Sequence, residues 1–166
     1  MVFPTRCAIL PQEVPMIPDC SRTDLTQIIS YSRRESFWFT KIADPAGKLS
    51  NMSALEVEAG GRRWKSTEAL YQACRFPDHP DIQELIRRES SPMAAKMVSK
   101  PHRKEKCRAD WDLVQIPVME WCLRLKLAFN FRLIYWALRE NTGRPIVEIS
   151  SKHDQFWGTT PDRDDP

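Results

Sequence analysis

The stretch Trp64-Lys65-Ser66-Thr67-Glu68-Ala69-Leu70-Tyr71-Gln72 carries the strongest local signals in this chain. Just before it, the Gly60-Gly61 pair suits the positive φ angles of a tight turn, so residues 55–64 are predicted to form a hairpin of two short strands. Ser66 or Thr67 is expected to cap the helix that follows. In that helix the apolar residues recur at helical spacing, at Ala69, Leu70, Ala73 and Phe76.

Glu68 stands in the first turn of this predicted helix. A carboxylate at that place can be purely structural, because it complements the positive end of the helix dipole. Capping statistics alone favour this interpretation. A chemical role for Glu68 becomes the better interpretation only if other polar and aromatic residues of the chain converge on it.

On either side of this stretch the sequence alternates short strands and helices. Residues 36–42, rich in aromatic and β-branched side chains, predict a strand, and Asp44-Pro45-Ala46-Gly47 ends it. A short helix is expected to begin near Pro80, and another at Ser91-Pro92, where serine caps and proline takes the first helical position. The apolar face of the first of these helices is expected to contain Ile82, Leu85 and Ile86.

The second half of the chain predicts mainly helix. Residues 99–110 are expected to form a basic loop, followed by a long helix whose regular part begins at Pro117. Its apolar stripe is expected to contain Val118, Cys122, Leu125 and Phe129, and that of the next helical segment Leu133, Ile134, Ala137 and Leu138. Gly143 ends this segment, and residues 146–149 resemble a short strand. The predicted fold class is a helix-dominated α+β single domain with a small, mainly antiparallel sheet.

Length and composition agree with one domain. The chain has 166 residues, 42% of them hydrophobic, and a formal net charge of +3. Residues 1–30, with four prolines, are expected to form an N-terminal arm, and residues 31–166 the domain itself. The five cysteines have no metal-ligand spacing, no nucleotide-binding or esterase motif is present, and no membrane-spanning run occurs. We therefore expect a cytoplasmic protein without a metal or cofactor.

Two tryptophans lie next to charged residues. Trp111 follows Arg108 and Asp110, and Trp157 follows Asp154. Such a set suits a planar base joined to a phosphorylated sugar, because tryptophan stacks on the ring, arginine grips phosphate and carboxylates bind ribose hydroxyls. Taken singly, either tryptophan is more often a core residue.

Lys126 and the pair Ser50-Asn51 also have two interpretations. Lys126 lies in an apolar part of the long helix, where it can extend to water, or, if desolvated in a cleft, act as an amine nucleophile. Ser50 and Asn51 can fix polar groups of a ligand or simply close a turn. The sequence leaves both choices open.

Taken together, these segments resemble the NADAR family from about Tyr31 to Gly158. The motifs that carry the resemblance are, in order, Leu49-Ser50-Asn51-Met52, Trp64 with Ser66 and Glu68-Ala69-Leu70-Tyr71-Gln72-Ala73, Ser91-Pro92-Met93-Ala94-Ala95, Arg108-Ala109-Asp110-Trp111, Met119, Lys126, Thr142-Gly143, Val147-Glu148 and Asp154-Gln155-Phe156-Trp157-Gly158. The sequence departs from the family at Ala69-Leu70, where a histidine is usual, and at Arg75, where lysine is common. It also stops at Pro166, so we expect the domain to lack the family's C-terminal helix.

The resemblance implies an N-glycosidase that hydrolyses the bond between a base and ribose. Its substrate would be phosphorylated or ADP-ribosylated: ADP-ribosylated guanine in nucleic acid, or early intermediates of riboflavin biosynthesis. Glu68 ranks first as the catalytic residue, and Lys126 second, as an imine-forming amine. The implied substrate-binding residues are Ser50, Asn51, Tyr71, Arg108, Asp110, Trp111, Glu148, Asp154, Trp157 and Gly158.

Two other functions remain open at this level. The departures at the Glu68 helix and at the C-terminus are also compatible with a module that binds ADP-ribose or NAD without turnover. The exposed aromatic residues would fit a protein-interaction domain, although no site motif supports one. No membrane partner is expected, and the sequence leaves the oligomeric state undetermined.

Overall fold

The computed structural model describes residues 30–141, 143–150 and 156–159. The chain divides into two units, Met1–Ser30 and Tyr31–Pro166, and all elements described below belong to the second. The predicted N-terminal arm, apart from Ser30, and the predicted site residue Asp154 lie outside the described residues. Within the described ranges, no helix is both long and apolar enough to cross a membrane.

Helices make up half of the described part of the chain and strands a much smaller share, which confirms the predicted helix-dominated α+β class. The strands are β1 (Phe37–Phe39), β2 (Val57–Ala59), β3 (Arg62–Trp64) and β4 (Ile146–Glu148). The α-helices are α1 (Thr67–Ala73), α2 (Pro80–Arg88), α3 (Pro92–Ser99), α4 (Arg103–Lys106), α5 (Trp111–Phe129) and α6 (Phe131–Arg139). Two 3-10 helices, Gly47–Leu49 and Lys100–His102, complete the set.

The strands form two separate pairs. β2 and β3 are antiparallel, with Val57 opposite Trp64, and the turn between them is made by Gly60 and Gly61 at φ of 59° and 69°. These angles are the ones that only glycine adopts readily, which confirms the predicted hairpin. β1 and β4 pair in parallel, with Phe39 opposite Glu148. This second pair brings the end of the described chain back to the domain.

Helix α1 is the centre of the core. All seven of its residues are buried, and it packs against α2, α3 and α5. Ser66 is its cap, since the Ser66 hydroxyl accepts a hydrogen bond of 3.1 Å from the backbone N–H of Ala69. The hairpin and the cap therefore place the start of α1, including Glu68, in the interior of the domain.

Two predicted boundaries in the second half of the chain were wrong. The basic segment expected as a loop contains the 3-10 helix Lys100–His102 and helix α4. Helix α5 begins at Trp111 and includes Pro117. Proline has no backbone N–H, so Pro117 cannot donate the helical hydrogen bond to the carbonyl of Leu113. Both residues lie on the exposed face of the helix, where water can donate to that carbonyl instead.

The predicted apolar faces were too wide. Ile82, Ile86, Cys122, Ile134 and Ala137 are buried as expected. Four other members of the predicted faces are 40 to 54% exposed: Leu85, Phe129, Leu133 and Leu138. For Phe129 the reason is that the buried stripe of α5 passes through Trp111, Met119, Cys122 and Lys126, a line rotated from the predicted one.

Candidate active site

Glu68 is a buried carboxylate held by two side-chain amides. It is 5% exposed. Its Oε2 atom accepts a hydrogen bond of 2.7 Å from Asn51 Nδ2, and its Oε1 atom accepts one of 2.7 Å from Gln72 Nε2. Because Ser66 already fills the capping role, the structure favours a function for Glu68 beyond the completion of the helix terminus.

A cleft of about 420 Å³ opens beside this carboxylate. Its volume lies in the range of small-molecule binding sites. The lining residues come from the first 3-10 helix and the loop after it, from α1 and the turn that follows it, from α3, α4 and α5, and from β4 and the segment after it. They are Leu49, Asn51, Met52, Glu68, Tyr71, Gln72, Arg75, Lys96, Arg103, Gln115, Met119, Leu123, Glu148, Ser150, Phe156, Trp157 and Gly158.

Aromatic rings form one wall of the cleft. The Tyr71 and Trp157 rings meet edge to face with centroids 5.9 Å apart, and Phe156 meets Trp157 in the same way at 4.8 Å. Trp157 is 38% exposed, so part of its ring faces the open side. A planar base can stack on such a surface.

The Tyr71 hydroxyl is a second polar group in the cleft. Its Oη atom is buried and has no hydrogen-bond partner within the described residues. Burial, with a contribution from the charge of Glu68, raises the pKa of Tyr71 to about 12. The hydroxyl therefore keeps its proton at neutral pH and can donate a hydrogen bond to a ligand.

Two arginines, Arg75 and Arg103, also line the cleft. The Arg75 guanidinium lies 4.2 Å from the centroid of the Trp111 ring and 5.4 Å from that of Tyr71. Burial and the nearby charge of Arg75 lower the pKa of Arg103. Because these two cations repel each other in a partly buried space, an anion bound between them would be stabilised, and a phosphate fits the geometry of two guanidinium groups best.

The predicted residues at the start of α5 do not line the cleft. Arg108 and Asp110 form a two-pronged ion pair, with N–O distances of 2.6 and 2.9 Å, which lowers the pKa of Asp110 and raises that of Arg108. Trp111 is a core residue, 5% exposed, that supports the Arg75 guanidinium from behind. Their predicted contacts with substrate stay predictions, and the cleft does not support them.

Lys126 lies one layer behind the cleft. Its Nζ atom donates hydrogen bonds to the carbonyls of Leu49, at 3.1 Å, and Ser50, at 2.5 Å. Burial lowers the pKa of Lys126 to about 8, and the charge of Glu148 opposes this shift. The Ser50 hydroxyl in turn donates to Glu148 Oε1 at 2.9 Å. Lys126 and Ser50 therefore fix the loop that presents Asn51 to Glu68.

Comparison with known proteins identifies the family of this chain. The NADAR domain family matches residues 31–166, which is most of the chain. The protein belongs to the NADAR family. This NADAR protein is 32% identical over 120 residues to the N-glycosidase YbiA of Escherichia coli (strain K12) and to that of Shigella boydii serotype 4 (strain Sb227), with 72% of each chain covered. These relatives confirm the predicted enzyme class, a hydrolase of N-glycosyl bonds.

A solved structure shows the same fold. The NMR structure of E. coli YbiA superposes with a TM-score of 0.59 at 27% identity, and the match covers 81% of this NADAR protein and 76% of that chain. The fold of this NADAR protein is thus similar to that of E. coli YbiA.

Six of the predicted site residues line the cleft of this NADAR protein: Asn51, Glu68, Tyr71, Glu148, Trp157 and Gly158. Sequence reasoning missed Gln72, Arg75 and Arg103 as site residues. Gln72 and Arg75 stand four and seven positions after Glu68, the spacing of one face of the helix predicted from the sequence, and this pattern could have identified them. In the structure α1 ends at Ala73, so Arg75 lies just after it. No local signal indicates Arg103, because it reaches the cleft from another helix.

Proposed function

We propose that this NADAR protein hydrolyses the C–N bond between the base and the ribose of a phosphorylated or ADP-ribosylated riboside, with Glu68 as the catalytic carboxylate. The observation that carries the proposal is the orientation of both Glu68 oxygens by Asn51 and Gln72 at the edge of the cleft. The names of the relatives, N-glycosidases, support the same reaction class.

The chemistry proposed for Glu68 is that of a glycosidase carboxylate. When the C–N bond breaks, its electron pair leaves with the base and positive charge develops at the anomeric carbon. A carboxylate beside that carbon stabilises the charge and accepts a proton from the attacking water, whose oxygen forms the new bond. The departing base then takes up this proton, so the products are the free base and the ribose hydroxyl, and Glu68 returns to its carboxylate form. The protonated Tyr71 hydroxyl, also in the cleft, donates a hydrogen bond to the departing base.

Substrate recognition is assigned to three kinds of group in the cleft. Arg75 and Arg103 bind phosphate, and the ring of Trp157 stacks on the base. The Oδ1 atom of Asn51 is buried without a partner among the described residues, so it can accept a hydrogen bond from a ribose hydroxyl. Arg75 and Arg103 thus take the place of Arg108 as the proposed phosphate ligands.

Lys126 has a supporting role in this proposal. Both carbonyls that its Nζ atom contacts belong to the loop next to Asn51. We infer that Lys126 positions that loop, although its lowered pKa would also suit the imine-forming amine implied by the family resemblance.

Between the two substrates we put ADP-ribosylated guanine in nucleic acid first. Lys100 and Lys104 are exposed and lie on either side of Arg103 in the chain. A phosphodiester backbone that leaves the cleft near Arg103 would therefore meet positive charge. The ribosylated pyrimidine intermediates of riboflavin synthesis are the second candidate, since they need only the cleft itself.

The deciding experiment measures release of free base from ADP-ribosylated guanine DNA and from ribosylated pyrimidine intermediates. Wild type should release base, and Glu68→Gln should lose about 10²- to 10⁴-fold in kcat while it stays folded. Glu58→Gln, a change to an exposed carboxylate on β2, is the matched control and should keep full activity.

Each other outcome has a clear meaning. Release from the pyrimidine substrates alone would assign the protein to riboflavin intermediates. Stable binding of ADP-ribose by folded protein without any base release would support the non-catalytic binding module and refute the proposed hydrolysis.

A further inference from the structure

Gln72 joins the proposed catalytic carboxylate to the proposed phosphate ligand. Its side chain is 2% exposed. On one side Gln72 Nε2 donates to Glu68 Oε1 at 2.7 Å. On the other side Gln72 Oε1 accepts hydrogen bonds from Ser99 Oγ, at 3.0 Å, and from an Arg103 nitrogen, at 3.1 Å. Three helices, α1, α3 and α4, thus meet at one amide.

The partners of this amide permit only one orientation. A guanidinium has donors and no acceptor, so the group of Gln72 that faces Arg103 must be its oxygen. The NH₂ group is then obliged to face Glu68. Since a carboxylate can only accept, the arrangement satisfies both ends, and a flipped amide would oppose donor to donor and acceptor to acceptor.

Arg103 is itself fixed at this place. The same terminal nitrogen, which has two N–H bonds, also lies 3.1 Å from Ser99 Oγ and 3.3 Å from the Lys96 carbonyl, so its two protons are shared among three acceptors. Ser99 is fully buried at the end of α3. The contacts with α3 therefore hold the guanidinium, the guanidinium orients the amide, and the amide orients the carboxylate.

We propose that Gln72 is a positioning residue for catalysis, which orients the Glu68 carboxylate and holds it at a fixed distance from Arg103. The inference rests on the proposed function, because it assumes that Glu68 acts on the anomeric carbon while Arg103 binds the phosphate of the same substrate. Gln72 then sets the distance between the two groups that would contact the same substrate. Buried amides preorganise a site in this way when their own partners allow one rotamer.

The kinetic test compares Gln72→Met, which keeps the length of the side chain and removes both polar groups, with wild type. Loss of one hydrogen bond to a charged group should lower kcat about 10- to 100-fold. In a Glu68→Gln background the same change should have almost no further effect, because Gln72 acts through Glu68. Gln83→Met is the matched control: Gln83 donates to the carbonyls of Phe76 and Ala73, outside the cleft, and its loss should leave kcat unchanged.

A second measurement does not depend on activity. In nitrogen-15 NMR spectra of wild type, the side-chain NH₂ of Gln72 should exchange slowly with solvent, and its resonances should move in Glu68→Gln and in Ser99→Ala. If base release is absent from wild type but these signals behave as expected, the proposed hydrolysis fails while the orientation of Glu68 by Gln72 stands. Fast exchange with no response to Glu68→Gln, or equal kinetic effects of Gln72→Met in both backgrounds, would overturn the proposal.

Discussion

Asn51 Nδ2 lies 2.7 Å from Glu68 Oε2 and donates a hydrogen bond to it. The two residues belong to different elements, a loop and the first turn of α1, and the loop is held in turn by Lys126 of α5 through the Ser50 carbonyl. The carboxylate is thus fixed by groups from three parts of the chain. Substitution of the residues that hold Glu68 therefore tests the role of the carboxylate.

Replacement of Asn51 by leucine should lower kcat about 10- to 100-fold, because Glu68 loses a hydrogen bond to a charged acceptor. Asn51→Asp should be worse, since it places a second carboxylate against Glu68. Asn141→Ala provides the control for a buried amide: Asn141 donates to the Ala137 carbonyl, outside the cleft, and its loss should lower Tm and leave kcat intact. Equal loss of kcat in the two amide variants would contradict a specific role for Asn51.

The cations of the cleft should control affinity for phosphate. Arg75→Met and Arg103→Met are each expected to raise KM for a phosphorylated substrate by about 10-fold or more, the loss of a charge-assisted hydrogen bond. Arg124→Met, which removes an exposed arginine paired with Glu120, should have no effect. If Arg108→Met raised KM and Arg75→Met did not, the assignment made from the sequence would be the correct one.

Lys126 should make stability depend on pH. Burial lowers its pKa from 10.5 to about 8, so between these values the unfolded chain binds more protons than the folded chain. Stability from this group is therefore present above pH 10.5 and lost as pH falls through about 8. Relative to Lys126→Met, wild type should gain about 2 kcal/mol between pH 7.5 and 9.5 in urea unfolding, from 1.36 kcal/mol per pKa unit. The neighbouring exposed change Leu127→Met should leave the pH dependence as it is in wild type.

Trapping with borohydride decides between the two roles of Lys126. Since its Nζ atom is held by two carbonyls behind the cleft, reduction during turnover should leave the mass of the protein unchanged. A ribosyl adduct located at Lys126 by peptide mass spectrometry would show instead that the lysine forms an imine with the opened sugar.

Gly158 should tolerate no larger residue. An added Cβ atom would lie 2.6 Å from the Cβ atom of Ser150. Gly158→Ala is therefore expected to cost about 1–3 kcal/mol by overpacking and to displace Trp157, which should raise KM. In the double variant with Ser150→Gly, where the opposing atom is absent, part of the lost stability should return. Thermal unfolding and KM, measured together, check both effects.

The elements with local signals were predicted well. Gly60 and Gly61 specify the hairpin through their backbone freedom, and Ser66 specifies the start of α1 by its hydrogen bond to a residue three positions later. Such features depend on residues a few positions apart, so they can be predicted from a short segment of the sequence. The prediction that the regular part of the long helix begins at Pro117 was wrong, because the effect of a proline depends on whether its face of the helix meets solvent or core, which distant residues decide.

Sequence alone identified the family and the fold class, and it predicted that Glu68 and Asn51 belong to one site; in the structure both residues line the cleft. Only the tertiary structure decided which cations and aromatic rings share that site: Arg108 and Trp111, three positions apart in one motif, do not line the cleft, while Arg75 and Arg103 do. The physical reason is that a motif records which residues occur together along the chain, whereas the choice between core, surface and cleft depends on how α1, α3, α4 and α5 pack. One rotation of a helix face moves a side chain from one of these environments to another.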